Sequence, residues 1–176
     1  MDPFHQRLAR VALSADDQLG LVLAGGYAIS AHGLTSRPSQ DLDFATRSPL
    51  PMIDVTDRLA QVFRKAGCEV TVVEVAPLMA RLAISSDGQV CEIDLLKGPI
   101  GSPVLLEIGP VLALDDAVGM KVAALHDRAT HRDFIDVHAA ATRADYTLAD
   151  LERLGAVTYP AGMLRPVREH PSLAAG

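Results

Sequence analysis

Two aspartates, Asp41 and Asp43, occupy alternate positions of the tetrapeptide DLDF. This alternation of acidic and apolar residues predicts a half-buried strand, in which both carboxylates point to one face roughly 6.5–7 Å apart. Two unit charges at that distance repel by about 2–3 kcal/mol at an effective dielectric constant of about 20. Mg²⁺, or Mn²⁺ in its place, would remove the repulsion, because hard cations bind carboxylate oxygens and keep positions free for phosphates. The alternative is a surface strand that presents two acids to water.

A glycine pair, Gly25–Gly26, precedes the aspartates and separates an apolar run, Leu21–Leu23, from an amphipathic segment, Tyr27–Leu34. The pattern predicts a strand, a turn and a helix in succession. Glycine lets a backbone approach a ligand closely, and a helix N-terminus presents N–H groups to an anion. We therefore expect a phosphate-binding turn beside the metal-binding strand.

A third acid, Asp94, interrupts the apolar run Ile93–Leu96. An unpaired acid in a buried strand costs several kcal/mol, so such a residue is paired, metal-bound or placed at a cleft. Asp94 is therefore either at an edge that faces water or a third carboxylate next to the first two.

Lys121 and Arg128 lie on a predicted helix at a spacing that puts both on one face. By spacing alone they are also compatible with an ordinary solvent lysine and a surface ion-pair partner. Asp136 follows Arg132 by four residues, so a local ion pair is the alternative to a functional role.

Three stretches together resemble the nucleotidyltransferase fold of DNA polymerase β, in the version used by AbiEii/MenT-type nucleotidyltransferase toxins. They are GGYAISAHGL…RPSQDLDF, Glu92–Leu96 and the run K-x-A-A-L-x-x-R-x-x-x-R-D-F-I-D that starts at Lys121. The resemblance covers roughly Leu21 to Leu151. It implies an α/β (α+β) fold with a mixed sheet flanked by helices and a short C-terminal helical part.

The resemblance also implies the substrates and the roles of the candidate residues. An NTP would donate its nucleoside monophosphate to the 3′ end of tRNA and so block translation, and a cognate antitoxin would be a partner. Phosphorylation of Ser39 is a further hypothesis, because a phosphate there would set negative charge against the nucleotide site. We expect catalytic roles for Asp41, Asp43, Asp94, Lys121 and Asp136, metal binding by Asp41 and Asp43, and nucleotide binding by Gly25, Gly26, Ser39, Lys121 and Arg128.

Other functions remain open at this point. The acceptor could be a small molecule such as an aminoglycoside or a lincosamide, or a protein side chain, or the chain could be an inactive nucleotide-binding module. The formal net charge of −6 suits a cationic acceptor and argues against strong non-specific binding to a polyanion.

The remaining pattern predicts the elements that position these residues. Further helices are expected from Asp2–Pro3 to about Asp17, over 52–66, from Asp115 to a break at Ala129–Thr130, over 131–142 with Phe134, Val137 and Ala141 inward, and from Thr147. Further strands are expected over 70–75, 80–85 and 89–96, the last two joined by a hairpin turn at Asp87–Gly88. We expect a nucleotidyltransferase core over 1–112, helices that complete the site over 113–157 and a loosely structured tail over 158–176.

The sequence carries neither a continuous apolar core typical of a secretory signal nor a run of membrane-spanning length. Cys68 and Cys91 lack the spacing of metal ligands and are expected to be buried thiols. These features predict a cytoplasmic protein without membrane association.

Overall fold

The computed structural model describes residues 1–158, in which a seven-stranded sheet is accompanied by six α-helices. The strands are β1 (Leu21–Leu23), β2 (Leu42–Thr46), β3 (Glu69–Ala76), β4 (Met79–Ser86), β5 (Gln89–Lys97), β6 (Val104–Leu106) and β7 (Gly109–Val111). The helices are α1 (Pro3–Leu13), α2 (Gly25–Ala31), α3 (Met52–Lys65), α4 (Leu114–Arg128), α5 (His131–Arg143) and α6 (Leu148–Thr158). The described part of the chain divides into two compact units, residues 1–117 and 118–158, so the boundary falls within α4.

The sheet has the strand order β3-β4-β5-β2-β1-β7-β6 and is mixed. β2 pairs with β1 in the antiparallel and with β5 in the parallel direction. The predicted α/β fold with a mixed sheet is therefore confirmed. β2 lies in the middle of this order, and it carries the candidate metal ligand Asp43.

One face of β4 and β5 forms the core of the first unit. Alternate residues of both strands are buried, among them Leu82, Ile84, Ile93 and Leu95. α3 packs against β3 and β4 and contributes buried apolar side chains such as Phe63. The opposite face carries the polar residues of the same strands, as the period of two requires. Cys68 and Cys91 are buried, as predicted.

The structure corrects several predicted boundaries. α1 ends at Leu13 rather than near Asp17, because the Asp16 side chain accepts from Gln18 N and begins a separate 3₁₀ turn at Asp17–Leu19. α2 begins at Gly25 and therefore includes the glycine pair. The hairpin of β6 and β7 is missing from the prediction, because strands of three residues are too short to show an alternating pattern.

The second unit was predicted correctly in its helices but not in the burial of α5. Thr130 caps α5 through Asp133 N, and Thr147 and Asp150 cap α6 reciprocally. The expected inward residues Phe134 and Ala141 are instead exposed, Phe134 to 64%. Two acids of α5, Asp133 and Asp136, are buried in their place. The tail predicted after Thr158 lies outside the described residues.

None of the helices in residues 1–158 is long and apolar enough to span a membrane.

Candidate active site

The Asp43 carboxylate packs directly against the backbone of Gly25. Gly25 has a φ of +59°, and a Cβ at this position would lie 1.7 Å from Asp43 Oδ2. The backbone around it is fixed as well, since Ala24 N donates a hydrogen bond of 2.8 Å to the carbonyl oxygen of Asp43. Only glycine therefore allows the first residue of α2 and the acid of β2 to meet this closely.

Asp41 is tied to the second glycine of the pair through Ser39. The Ser39 hydroxyl donates to Asp41 Oδ1 over 2.9 Å, and Ser39 is only 7% exposed. A Cβ on Gly26 would lie 3.0 Å from Ser39 Oγ and 3.2 Å from Arg37 Nη2. Both predicted metal ligands are thus gathered at one glycine pair, with a serine and an arginine beside them.

This arrangement fits a hard divalent cation. Asp41 and Asp43 supply carboxylate oxygens, the ligand type that Mg²⁺ prefers, and Mg²⁺ commonly takes only one or two carboxylates and fills its other positions with water and phosphate oxygens. Within residues 1–158 no group of three His, Cys, Asp or Glu side chains is placed to hold a metal ion. A metal here would therefore depend on the two aspartates and on oxygens of the substrate.

Asp94 lies in the same row of the sheet as Asp43, because the two residues are paired in register on parallel strands β5 and β2. Its carboxylate forms a bidentate ion pair with Arg81 of β4, at 2.7 Å from Nε to Oδ1 and 2.8 Å from Nη2 to Oδ2. Arg81 is not among the residues predicted from the sequence. The predicted two-residue turn at Asp87–Gly88 nevertheless fixes the register of β4 and β5, and this register pairs Arg81 with Asp94.

A buried hydrogen-bonded chain supports the loop that carries Ser39. Tyr27 Oη donates to the carbonyl oxygen of Ser39 over 3.1 Å and contacts His5 Nδ1 at 2.7 Å. Because the hydroxyl has one proton, His5 Nδ1 carries the hydrogen in this arrangement. Burial raises the pKa of Tyr27, so the phenol remains protonated. α1 and α2 are thereby connected to the loop next to Asp41.

A groove of about 710 Å³ adjoins this cluster through Arg37. Its lining includes Tyr27, Thr35 and Ser36, together with Leu106 at the end of β6 and Glu107 of the β6–β7 turn. Its volume falls in the range of small-ligand sites.

In the second unit, Lys121 of α4 is buried against two acids of α5. Its ammonium lies 3.0 Å from Asp136 Oδ2 and 3.5 Å from Asp133 Oδ1, and Lys121 is 7% exposed. Arg128 completes the cluster with a bidentate contact to Asp133 at 2.9 and 3.0 Å. Two cations and two carboxylates balance each other, which explains why the acids rather than Phe134 occupy the buried face of α5.

The ionisation of Asp133 follows from these contacts. Burial by itself would raise the pKa of its carboxyl group. The hydrogen bonds from Arg128 and Thr130, together with the charges of Arg128 and Lys121, outweigh burial and lower the pKa from 3.8 to about 2. Asp133 is therefore a carboxylate at every pH near neutrality.

The predicted residues thus fall into two sets. In the first unit the structure brings together Gly25, Gly26, Ser39, Asp41 and Asp43, with Asp94 in the row of Asp43. In the second unit it brings Lys121 together with Asp136, and it links Arg128 to the same cluster through Asp133. That both sets act on one nucleotide stays a prediction.

Solved structures that share this fold include two from Helicobacter pylori. JHP933 is 19% identical to this chain, with 86% of this chain and 71% of that one covered and a TM-score of 0.61. A second protein, assigned to the nucleotidyltransferases, is 18% identical to this chain. The match covers 86% of this chain and 73% of that protein, with a TM-score of 0.62. No curated protein sequence matches the chain. The fold is that of the nucleotidyltransferases.

The particular family follows from the sequence itself. The AbiEii nucleotidyl transferase toxins, of type IV toxin–antitoxin systems, match residues 6–172, which is nearly the whole chain. The chain belongs to this family and is a nucleotidyltransferase of a toxin–antitoxin system. The predicted family and enzyme class are thereby confirmed, and the family implies a nucleotide substrate and an antitoxin partner.

Proposed function

We propose that this protein transfers a nucleoside monophosphate from an NTP to the 3′ end of tRNA, in a reaction that depends on Mg²⁺, or on Mn²⁺ in its place. The observation that carries this proposal is the meeting of Asp41 and Asp43 at the Gly25–Gly26 pair. Family membership supports the reaction class, and the resemblance to tRNA-modifying toxins supports the acceptor. Transfer to tRNA would block translation, and the toxin–antitoxin family implies an antitoxin that opposes this effect.

Asp41 and Asp43 are the residues that would hold the metal. Bound there, a divalent ion would withdraw negative charge from the triphosphate as pyrophosphate leaves. Ser39 fixes the orientation of the Asp41 carboxylate through its hydroxyl. Gly25 removes the side chain that would otherwise displace Asp43.

The triphosphate would lie along the glycine pair. α2 has only seven residues and no side chain of the described chain caps its start, so its dipole alone is a weak anion site. Close approach to the Gly25–Gly26 backbone, with the Arg37 guanidinium next to Gly26, provides the stronger attraction. In this proposal Lys121 and Arg128 neutralise phosphate charge, and Asp136 holds the Lys121 ammonium.

Asp94 would act on the acceptor. The hydroxyl oxygen of the acceptor attacks the α-phosphorus, the bond between that phosphorus and the oxygen bridging to the β-phosphate breaks, and pyrophosphate leaves. The hydroxyl proton passes to a base, a role suited to a carboxylate in the row of Asp43.

The test is transfer of label from NTP to tRNA. Each α-³²P-labelled NTP is incubated with the protein, Mg²⁺ and total tRNA, and the same reactions are run with γ-³²P label. Nucleotidyl transfer places only the α label on tRNA, and tRNA whose terminal diol was oxidised by periodate remains unlabelled. Asp41→Ala should abolish labelling, whereas Asp57→Asn, at an exposed position of α3, should not. Labelling of tRNA by the Asp41→Ala variant would overturn the proposal.

A small cationic acceptor, such as an aminoglycoside, is the second candidate. Glu74 and Glu92 act electrostatically on Arg81, the partner of Asp94, so further acids lie around the row that contains Asp43. An acidic surface attracts a cation and repels a polyanion. Label on aminoglycosides but not on tRNA in the same assay would favour this acceptor.

A further inference from the structure

Asp94 and Asp43 form a pair of like charges at directly opposed positions of β5 and β2. Such pairs repel each other in a sheet unless a cation compensates them. Arg81 of β4 is paired with Asp94 from the other side, so the row across the three strands is carboxylate, carboxylate and guanidinium. Arg81 contacts the outer of the two acids, Asp94, with both ends of its guanidinium fork.

The contact with Arg81 occupies both oxygens of Asp94. Nε and Nη2 donate to Oδ1 and Oδ2 at 2.7 and 2.8 Å, which is the fork geometry that fixes the plane of a carboxylate. Asp94 is the less exposed partner, with 19% of its side chain accessible against 38% for Arg81. The fork thus determines where this carboxylate points.

The position of Asp94 matters because two roles compete for it. As a third ligand it would have to group with Asp41 and Asp43, yet no three acids of the described chain are placed to share a metal ion. As the group that receives the acceptor proton it needs a carboxylate oxygen within hydrogen-bond reach of the acceptor hydroxyl. A carboxylate held by a guanidinium satisfies the second condition.

We propose that Arg81 is a positioning residue, which holds the Asp94 carboxylate out of the metal coordination sphere and keeps it for the acceptor hydroxyl. This inference rests on the proposed function, since it takes Asp41 and Asp43 as the metal ligands. A positioning role for Arg81 and a purely structural ion pair predict different results when Arg81 is replaced. Only in the first case should the loss of Arg81 allow Asp94 to bind the metal as a third carboxylate.

The test measures Mn²⁺ binding by titration calorimetry in the absence of nucleotide, together with nucleotidyl transfer. Arg81→Met should bind Mn²⁺ about 3–10-fold more tightly than the wild type, because the freed Asp94 joins the metal ligands. Arg81→Met/Asp94→Asn should return to the wild-type affinity. In the transfer assay Arg81→Met should lower kcat about 100-fold and leave the KM for NTP unchanged, because a positioned general base contributes about 10²–10⁴-fold.

The controls separate this outcome from unfolding and from the failure of the proposed function. Arg7→Met removes an exposed contact to Asp87 at 3.5 Å in the same unit and should change neither quantity. If Arg81→Met does not fold, Arg81→Lys, which keeps the charge but loses the fork, takes its place. If the variant without the fork binds Mn²⁺ with the affinity of the wild type, the proposal is wrong. If it binds Mn²⁺ more tightly but keeps the wild-type kcat, the proposed role of Asp94 at the acceptor hydroxyl is wrong. Wild-type Mn²⁺ affinity in Asp41→Ala would instead refute the metal site itself.

Discussion

Asp43 Oδ2 lies 1.7 Å from the point where a side chain at position 25 would begin. Gly25 and Asp43 therefore depend on each other, because the Asp43 carboxylate occupies the space that a side chain at the start of α2 would need. This relationship explains why a glycine at position 25 and an acid at position 43 belong to one site although they are separated by a helix and a loop.

Gly25→Ala should reduce transfer activity by about 100-fold or more, because displacement of a catalytic group by about 1 Å has an effect of that size. The new methyl group must push the Asp43 carboxylate away or shift the turn. Initial rates at saturating NTP and at several Mg²⁺ concentrations measure the effect.

Gly33→Ala is the matched control for this substitution. Gly33 also has a positive φ, +79°, but a Cβ there meets nothing within 4 Å. Both variants carry backbone strain of about 1–2 kcal/mol, and only Gly25→Ala displaces the acid. Equal activity of the two variants would contradict a specific role for Gly25.

Tyr27→Phe should weaken the response to Mg²⁺ rather than the binding of NTP. The change removes the hydroxyl that donates to the Ser39 carbonyl and contacts His5, so the loop that orients Asp41 loses a buried support. A destabilisation of about 1–3 kcal/mol accompanies the unpaired groups. The Mg²⁺ concentration for half-maximal rate should rise several-fold.

Thr56→Val provides the comparison for Tyr27→Phe. It removes a buried hydroxyl that donates to Met52 O over 2.7 Å within α3, away from the metal loop. The Mg²⁺ response of this variant should match the wild type. A similar shift in both variants would mean that general destabilisation, and not the loop, is responsible.

Lys121→Met should destabilise the protein by about 3–5 kcal/mol, because it removes one partner of the buried ion pair between Lys121 and Asp136. Adding Asp136→Asn should recover part of this loss, as measured by urea unfolding. Transfer activity should remain absent in the double variant if Lys121 acts on the nucleotide. Recovery of activity together with stability would show that the lysine is only structural.

Lys65→Met, at an exposed position of α3, is the control for this prediction. Its free energy of unfolding should stay within about 0.5 kcal/mol of the wild type.

Asp133 should make the free energy of unfolding depend on pH in the acidic range. Its pKa is 3.8 in the unfolded chain and about 2 in the folded protein, so it stabilises the fold above pH 4, and this contribution is lost as the pH falls towards 2. The contribution is about 2 kcal/mol. Urea unfolding between pH 5 and pH 2.5 should therefore show a steeper decline for the wild type than for Asp133→Asn. Parallel curves would contradict the prediction.

Local pattern was sufficient to predict most of the first unit. The alternation that ends in Leu42–Phe44 and the turn at Asp87–Gly88 each depend on nearest neighbours along the chain, and the structure places both in the expected elements. The glycine pair lies in the first turn of α2 instead of in a separate turn, and Asp41 immediately precedes β2. The register of the same hairpin also pairs Arg81 with Asp94.

Burial in α5 could not be predicted in this way. A rule based on apolar spacing places Phe134 inside, whereas the structure exposes Phe134 and buries Asp133 and Asp136. The cause lies in a different helix, because Lys121 and Arg128 of α4 supply the compensating charges. Contacts with another helix determine which face of α5 is buried, and the spacing of apolar residues within α5 alone gives no information about those contacts.

The four charges shared by α4 and α5 also constrain how the second unit assembles during folding. If α5 docked first, Asp133 and Asp136 would lose their hydration before any cation reached them. Lys121 would meet the same penalty if α4 docked first. The two helices are therefore expected to join in one concerted late step, and high salt, which screens the attraction between them, should slow that step.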